Sequence, residues 1–230
     1  ELSAFNFCDK MEYNFKYQKG LEKIEQFQKQ YTANRFIVDW LKFEEVYQWL
    51  HLLGNSLTRI EMESILNTRL ILNDKPFSDY VDLLTYSNII AKMKCSDLAE
   101  ICPEMIRDFH QNIVLDPMDD FNLFEEKPLQ FQADDICLKF NQSSRRISDI
   151  LDFCVELYQL KPFRLHTKTT VRIVMNYLLL GNGYILCTQN DTTEFTGQFK
   201  QAAVDNLIFR YEFLIKSRKG GQVDEIVSKN

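Results

Sequence analysis

The residues whose types and order best suit an anion are His166, Thr167, Lys168, Thr169 and Thr170, with Arg172 close behind. Threonine hydroxyls, a lysine ammonium and a guanidinium are donors that a phosphate accepts, and the planar arginine fork can hold two of its oxygens. These residues open the run TTVRIVMNYLLL (169–180), which is apolar on nearly every side. Too short to span a bilayer, it reads as a helix buried at the centre of a domain. The first turn of such a helix carries backbone N–H groups without intrahelical acceptors, at the positive end of the helix dipole. That is a generic anion site. A second reading of the same residues makes Thr167 or Thr169 a helix cap and has Arg172 neutralise a buried carboxylate.

The elements that must position this segment follow from apolar spacing. Residues 1–16 show no clear period and read as an arm, whereas 17–31 place Leu21, Ile24 and Phe27 on one helical stripe. Residues 35–53 form a wide apolar face through Ile37, Trp40, Leu41, Val46, Trp49, Leu50 and Leu53, closed by Gly54-Asn55. Helical period returns at 57–72, at 78–94 after Pro76, and at 98–115, where Asp116-Pro117 stops it. The run from Leu129 to Phe140 alternates and is broken at Ala133-Asp134-Asp135, so it reads as a small β-hairpin. Further helices are expected over 145–160, ended by Pro162, and over 191–216, with Gly181 and Gly183 between them releasing the buried helix. The expected fold is mainly α: a helical bundle with one hairpin, an N-terminal helical region over 1–54, a core domain over 55–216 and a polar tail over 217–230.

Composition supports this outline. An apolar content of 45% in 230 residues allows a sizeable core, and only 7 glycines and 5 prolines favour long helices over many turns. A net charge of −6 without a clustered basic face argues against nucleic acid as a partner. No apolar run reaches bilayer length and residues 1–20 lack the apolar stretch of a secretion signal, so no membrane partner is expected. The six cysteines are scattered without a CxxC pair, which suits reduced thiols better than a disulfide frame or a zinc site. A cytoplasmic protein fits this, as does a secreted bacterial effector. His51 and His110 have no nucleophilic or acidic partner at a recognisable spacing and read as structural. Asp119-Asp120 and Asp134-Asp135 read as solvated turn acids.

The segment KPFRLHTKTTVRIVMNYLLLGNGY (161–184) resembles the signature of the Fic, or Fido, family, often written HPFxDGNGRTxR and followed by an apolar helix with a Gly-Tyr exit. Pro162, Phe163, Thr170, Arg172 and Gly183-Tyr184 keep that frame. The resemblance extends more weakly over 57–215: Ile106 to His110 is similar to the family's helix ending in Leu-His, and 129–140 falls where the family has its substrate-docking flap. Ser56 to Met62 looks like a remnant of the family's inhibitory helix, although Leu57 and Met62 depart from its pattern. The resemblance implies transfer of AMP from ATP to a hydroxyl on a target protein. In that scheme the motif histidine is the base, the acidic residue holds magnesium, and the Gly-Asn-Gly-Arg nest with the final arginine grips the phosphates.

Here Lys161 stands for the base, Leu165 for the magnesium ligand, and His166-Thr167-Lys168-Thr169 for the nest. A lysine is protonated at neutral pH unless its surroundings lower its pKa strongly, and leucine cannot bind magnesium. Without glycine the nest loses its conformational freedom. Three functions follow, from different classes. The first is a degenerate Fic-type protein without ordinary AMP-transferase activity that binds a protein partner, by strand addition to the hairpin, with ATP or another nucleotide as its ligand at the residual anion site. In the second, an active nucleotidyl- or phosphoryl-group transferase, Lys161 or His166 takes over as base and Lys168 replaces the metal. The third is a structural or antitoxin-like interaction module.

Overall fold

The computed structural model of the chain describes residues 2–31, 35–70, 74–93, 100–113, 127–163, 165–188 and 197–219. Among these lie nine α-helices: α1 (Leu2–Gln30), α2 (Arg35–Leu52), α3 (Arg59–Thr68), α4 (Phe77–Lys92), α5 (Pro103–Gln111), α6 (Lys127–Gln142), α7 (Ile147–Leu160), α8 (Thr167–Gly181) and α9 (Gly197–Lys219). The mainly helical expectation holds. From Thr169 to Gly181, Tyr177 alone escapes full burial, so α8 is the axle of the molecule. Its all-round apolarity leaves no face that water could solvate well, and α7 and α5 pack along it. α6 lies on α7, α1 packs on α9 and α7, and α2 on α4.

The hairpin expected over 129–140 is not there: the segment is helical, within α6. The buried residues are Ala133, Cys137 and Phe140, at helical spacing. Phe131 and Leu138, which lent the run its alternating look, point to solvent at 72% and 56% exposure. Asp134 and Asp135 are exposed on this helix and are not turn residues. Residues 1–16 also differ from the expected arm, since α1 begins at Leu2 and runs unbroken alongside α9. Gly20 permits that approach, because a Cβ there would overlap Val204 of α9. Asp119-Asp120 and Cys95 lie outside the described residues.

One hydrophobic cluster joins the helices, running from Leu21 and Ile24 of α1 through Leu41 and Trp49 of α2 to Val174 of α8 and Leu207 of α9. α2 ends as its sequence suggests: Gly54 takes a positive φ of 90°, and Asn55 N–H reaches back to the Leu50 carbonyl at 3.0 Å. α3 starts with a capping box, Thr58 accepting from the Glu61 N–H while Glu61 accepts from the Thr58 N–H. The exit of α8 is fixed by Gly183 at φ 79° and by Tyr184 N–H bonded to the Leu179 carbonyl at 2.9 Å. Among the described residues no helix is long and apolar enough to cross a membrane.

Candidate functional site at the head of α8

The approach to α8 is built by two residues in the left-handed region. Lys161 caps α7 at φ 48°, its N–H bonded to the Tyr158 carbonyl, and turns the chain back. Pro162 and Phe163 then drop into the core while Leu165 and His166 return to the surface. His166, at φ 58°, occupies the N-cap position of α8 without capping it through its side chain. Imidazole is among the few non-glycine side chains that visit this region at modest cost, which suits it to the corner.

Two threonines stitch the corner down. Thr167 donates its hydroxyl to the Phe163 carbonyl at 2.7 Å, and Thr170 donates to the His166 carbonyl at 3.0 Å. His110, fully buried at the end of α5, places Nδ1 at 3.0 Å from the Thr170 hydroxyl oxygen. With the single Thr170 proton on the His166 carbonyl, the donor role falls to His110 Nδ1–H. The His110 ring lies flat on Phe163, with centroids 3.6 Å apart and planes 7° from parallel, and its centroid is 6.5 Å from that of His166. Asp82 of α4 also borders the corner: burial pushes its carboxyl above the usual range, Asp79 adds to that, and His166 pulls it back.

Arg172 is placed elsewhere. It is buried one turn into α8, and its Nε and Nη2 donate to the two carboxylate oxygens of Glu45 on α2 at 2.5 and 2.7 Å. The Trp49 ring lies 4.5 Å from its guanidinium carbon, and Tyr86 donates to Glu45 at 3.1 Å. Burial pushes the Glu45 carboxyl up against the opposing pull of Arg172. Arg172 is held above its ordinary range: burial alone would lower it, but the Glu45 charge and hydrogen bonds outweigh that. Of the two sequence readings of Arg172, the buried carboxylate partner is the one the structure contains.

The other candidates divide by depth. Lys161, Leu165 and His166 are exposed, Thr167 and Lys168 are half-buried, and Thr169 and Thr170 are buried. Glu61, the acidic residue of the segment 56–62, is engaged by Thr58 in the capping box and by Lys75 at 3.5 Å. His110 was legible only as a structural histidine; its one pointer was its place at the end of the helix similar to the family's Leu-His helix. Glu45, Tyr86 and Asp82 gave no signal, being brought in from distant helices.

The donor set at this corner does not fit magnesium. Leu165, which the sequence reading set against the metal ligand, offers no oxygen, and among the described residues no three His, Cys, Asp or Glu side chains gather to hold an ion. What the corner presents is two lysines, an imidazole and a hydroxyl, on Lys161, Lys168, His166 and Thr167, before and at a helix start that no side chain caps. Such a set can attract a phosphate, but it lacks a built general base. A groove of about 110 Å³ between α6 and α7, floored by Ile136, Phe140 and Phe153 and rimmed by Asp149, Asp152 and Glu156, shares no residue with the corner.

No protein-family model matches the chain, and no curated protein sequence matches it. Solved structures do. The chain is similar to Fic-1 from C. elegans, residues 134–508, with a TM-score of 0.70 at 15% identity over 87% of this chain and 71% of that one. It is equally similar to the E274G form of the same protein, with a TM-score of 0.69 at 14% identity over 87% and 72%. At these identities the likeness is one of fold: the chain has a Fic-like helical fold.

Proposed function

We propose that this chain is a degenerate Fic-type protein which binds a phosphate-bearing ligand, with a nucleotide as first candidate, at the head of α8 and does not transfer AMP in the family's ordinary way. The observation that carries the reading is the engagement of Arg172. In the signature that 161–172 resembles, the last arginine grips phosphate; here the same residue is buried and both oxygens of Glu45 already occupy its fork. The reading is further supported by Lys161 in place of the base and Leu165 in place of the metal ligand. With base, metal ligand and phosphate clamp all missing, each worth orders of magnitude in rate, family-type chemistry falls to a negligible level. What remains is electrostatic attraction from Lys168, Lys161 and the start of α8, with the His166 imidazole beside them.

A protein partner is part of the same proposal, but not by strand addition, because 129–140 is a helix. Two measurements test the reading. Titration calorimetry with ATP, ADP and inorganic phosphate is expected to give weak binding that Lys168→Ala reduces several-fold and Arg172→Lys leaves unchanged; no heat with any of these at millimolar concentration would remove the ligand. Incubation with labelled ATP and a cell lysate is expected to label nothing. Labelling by the wild type that is lost in Lys161→Ala or His166→Ala would instead support the transferase with altered residues.

A further inference from the structure

We propose that Cys102 and Cys137 form a reversible disulfide that locks α5 to α6, at the opposite end of the helix that delivers His110 to the head of α8. The backbone beside Cys102 is tied to the helix that carries Cys137. Asn141 of α6 donates Nδ2–H to the Ile101 carbonyl at 2.8 Å and accepts the Ile101 N–H on Oδ1 at 3.1 Å, so its side chain grips the backbone next to Cys102 from both sides. Cys137 stands one helical turn before Asn141 and therefore on the same face of α6. That face is the buried one, with Ala133, Cys137 and Phe140 all within 5% of full burial. Cys102, at the N-cap position of α5, is half-buried and so remains open to a small reagent.

One carboxylate, Glu104, bears on both thiols. The Glu104 carboxyl is held below its usual range by its own backbone N–H and by the Cys102 thiol. Burial pushes the Cys137 thiol up to about 12, and Cys102, Asp134 and Glu104 add to that in turn. This orders the chemistry, because the thiolate is the attacking species. The accessible Cys102, as thiolate, attacks a low-molecular-weight disulfide such as oxidised glutathione; that S–S bond breaks and one glutathione thiolate leaves. Cys137 then gives its proton to water and attacks Cys102 Sγ, expelling the second glutathione thiolate. Two protein thiols are oxidised by two electrons and one small disulfide is reduced to two thiols. The second step needs the Cys137 thiolate, which burial disfavours.

A second thiol pair serves as an internal comparison. Cys154 and Cys187 are fully buried, Cys187 has its thiol turned to the Ala203 carbonyl, and burial holds the Cys154 thiol well above its usual range. Neither is open to a reagent while the chain is folded.

The test is to incubate the full chain with oxidised glutathione at pH 8, quench with acid, alkylate under denaturing conditions and digest without reduction. The expected result is a linked peptide pair containing Cys102 and Cys137, lighter than the separate peptides by two hydrogen atoms, with Cys154 and Cys187 alkylated. Cys102→Ser keeps a good N-cap residue and is expected to fold, to lose the link and to leave Cys137 alkylatable. A glutathione adduct that persists on Cys102, a link from either residue to another cysteine, or two thiols still free after prolonged incubation would each overturn the proposal.

Discussion

Glu45 and Arg172 lie 127 residues apart in sequence and meet as a two-pronged ion pair beneath the first turns of α8, with both side chains all but removed from water. Trp49 covers the guanidinium and Tyr86 donates to the carboxylate, so both Glu45 oxygens and two of the Arg172 nitrogens are engaged inside the fold. The pair ties α2 to α8. Its removal by halves therefore differs in kind from its removal as a unit. Glu45→Ala, which strands a buried guanidinium, is expected to lower stability by about 3 to 5 kcal/mol. The double change Glu45→Leu with Arg172→Met is expected to lose less than either single change, as read from urea unfolding.

Gly20→Ala tests the seam between α1 and α9. In a free helix the change would help by about 1 kcal/mol. Here the new methyl would overlap Val204, a stiff β-branched neighbour, and overpacking of this kind costs about 1 to 3 kcal/mol. A net loss is expected, recovered at least in part when Val204→Ala is added; thermal melts of the four proteins measure the coupling.

The His110–Thr170 bond can be read directly. Thr170→Val keeps the shape but takes away the acceptor of His110 Nδ1–H, and leaving a buried donor unpaired costs about 1 to 3 kcal/mol. Long-range nitrogen–proton spectra are expected to show a proton resident on Nδ1 in the wild type and a changed tautomer balance in the variant.

Acid stability carries a contribution from the start of α3. Glu61 is held below the usual carboxyl range, first by the Thr58 N–H, then by the Thr58 hydroxyl and Lys75. A depressed folded value means that this contribution is present above the unfolded carboxyl range and is lost as pH falls through the folded value. Glu61→Gln is therefore expected to be less stable than the wild type at neutral pH, with the gap closing in acid. A gap that stays constant from pH 7 to pH 3 would show that the charge of Glu61 plays no part.

Much of this architecture was legible because α8 spells itself out: a run apolar on all sides has no stable place except the interior, and Gly183 marks its exit. Pro162 and Phe163, which carried the motif resemblance in the sequence, are buried just ahead of it. The reading of 129–140 went wrong because Phe131 and Leu138 are large, apolar and exposed, and counting them as inward turned a helical period into an alternating one. Arg172 stood open between two partners, phosphate and carboxylate, because nothing in its own neighbourhood names Glu45. Ion pairs between distant helices leave no local trace. His110 looked structural for the same reason, since its companions Phe163 and Thr170 arrive only when α5 crosses α8.

The long contact between the first and last of these helices has a consequence for how the chain acquires its shape. Lys16 pairs with Asp205, and Lys23 with Glu212, across separations of 189 residues. α1 is made before α9, yet α9 supplies the larger part of the surface on which α1 packs, α7 supplying the rest. Pairings this remote in sequence close late and slowly, so α1 completes its docking only once α9 is in place.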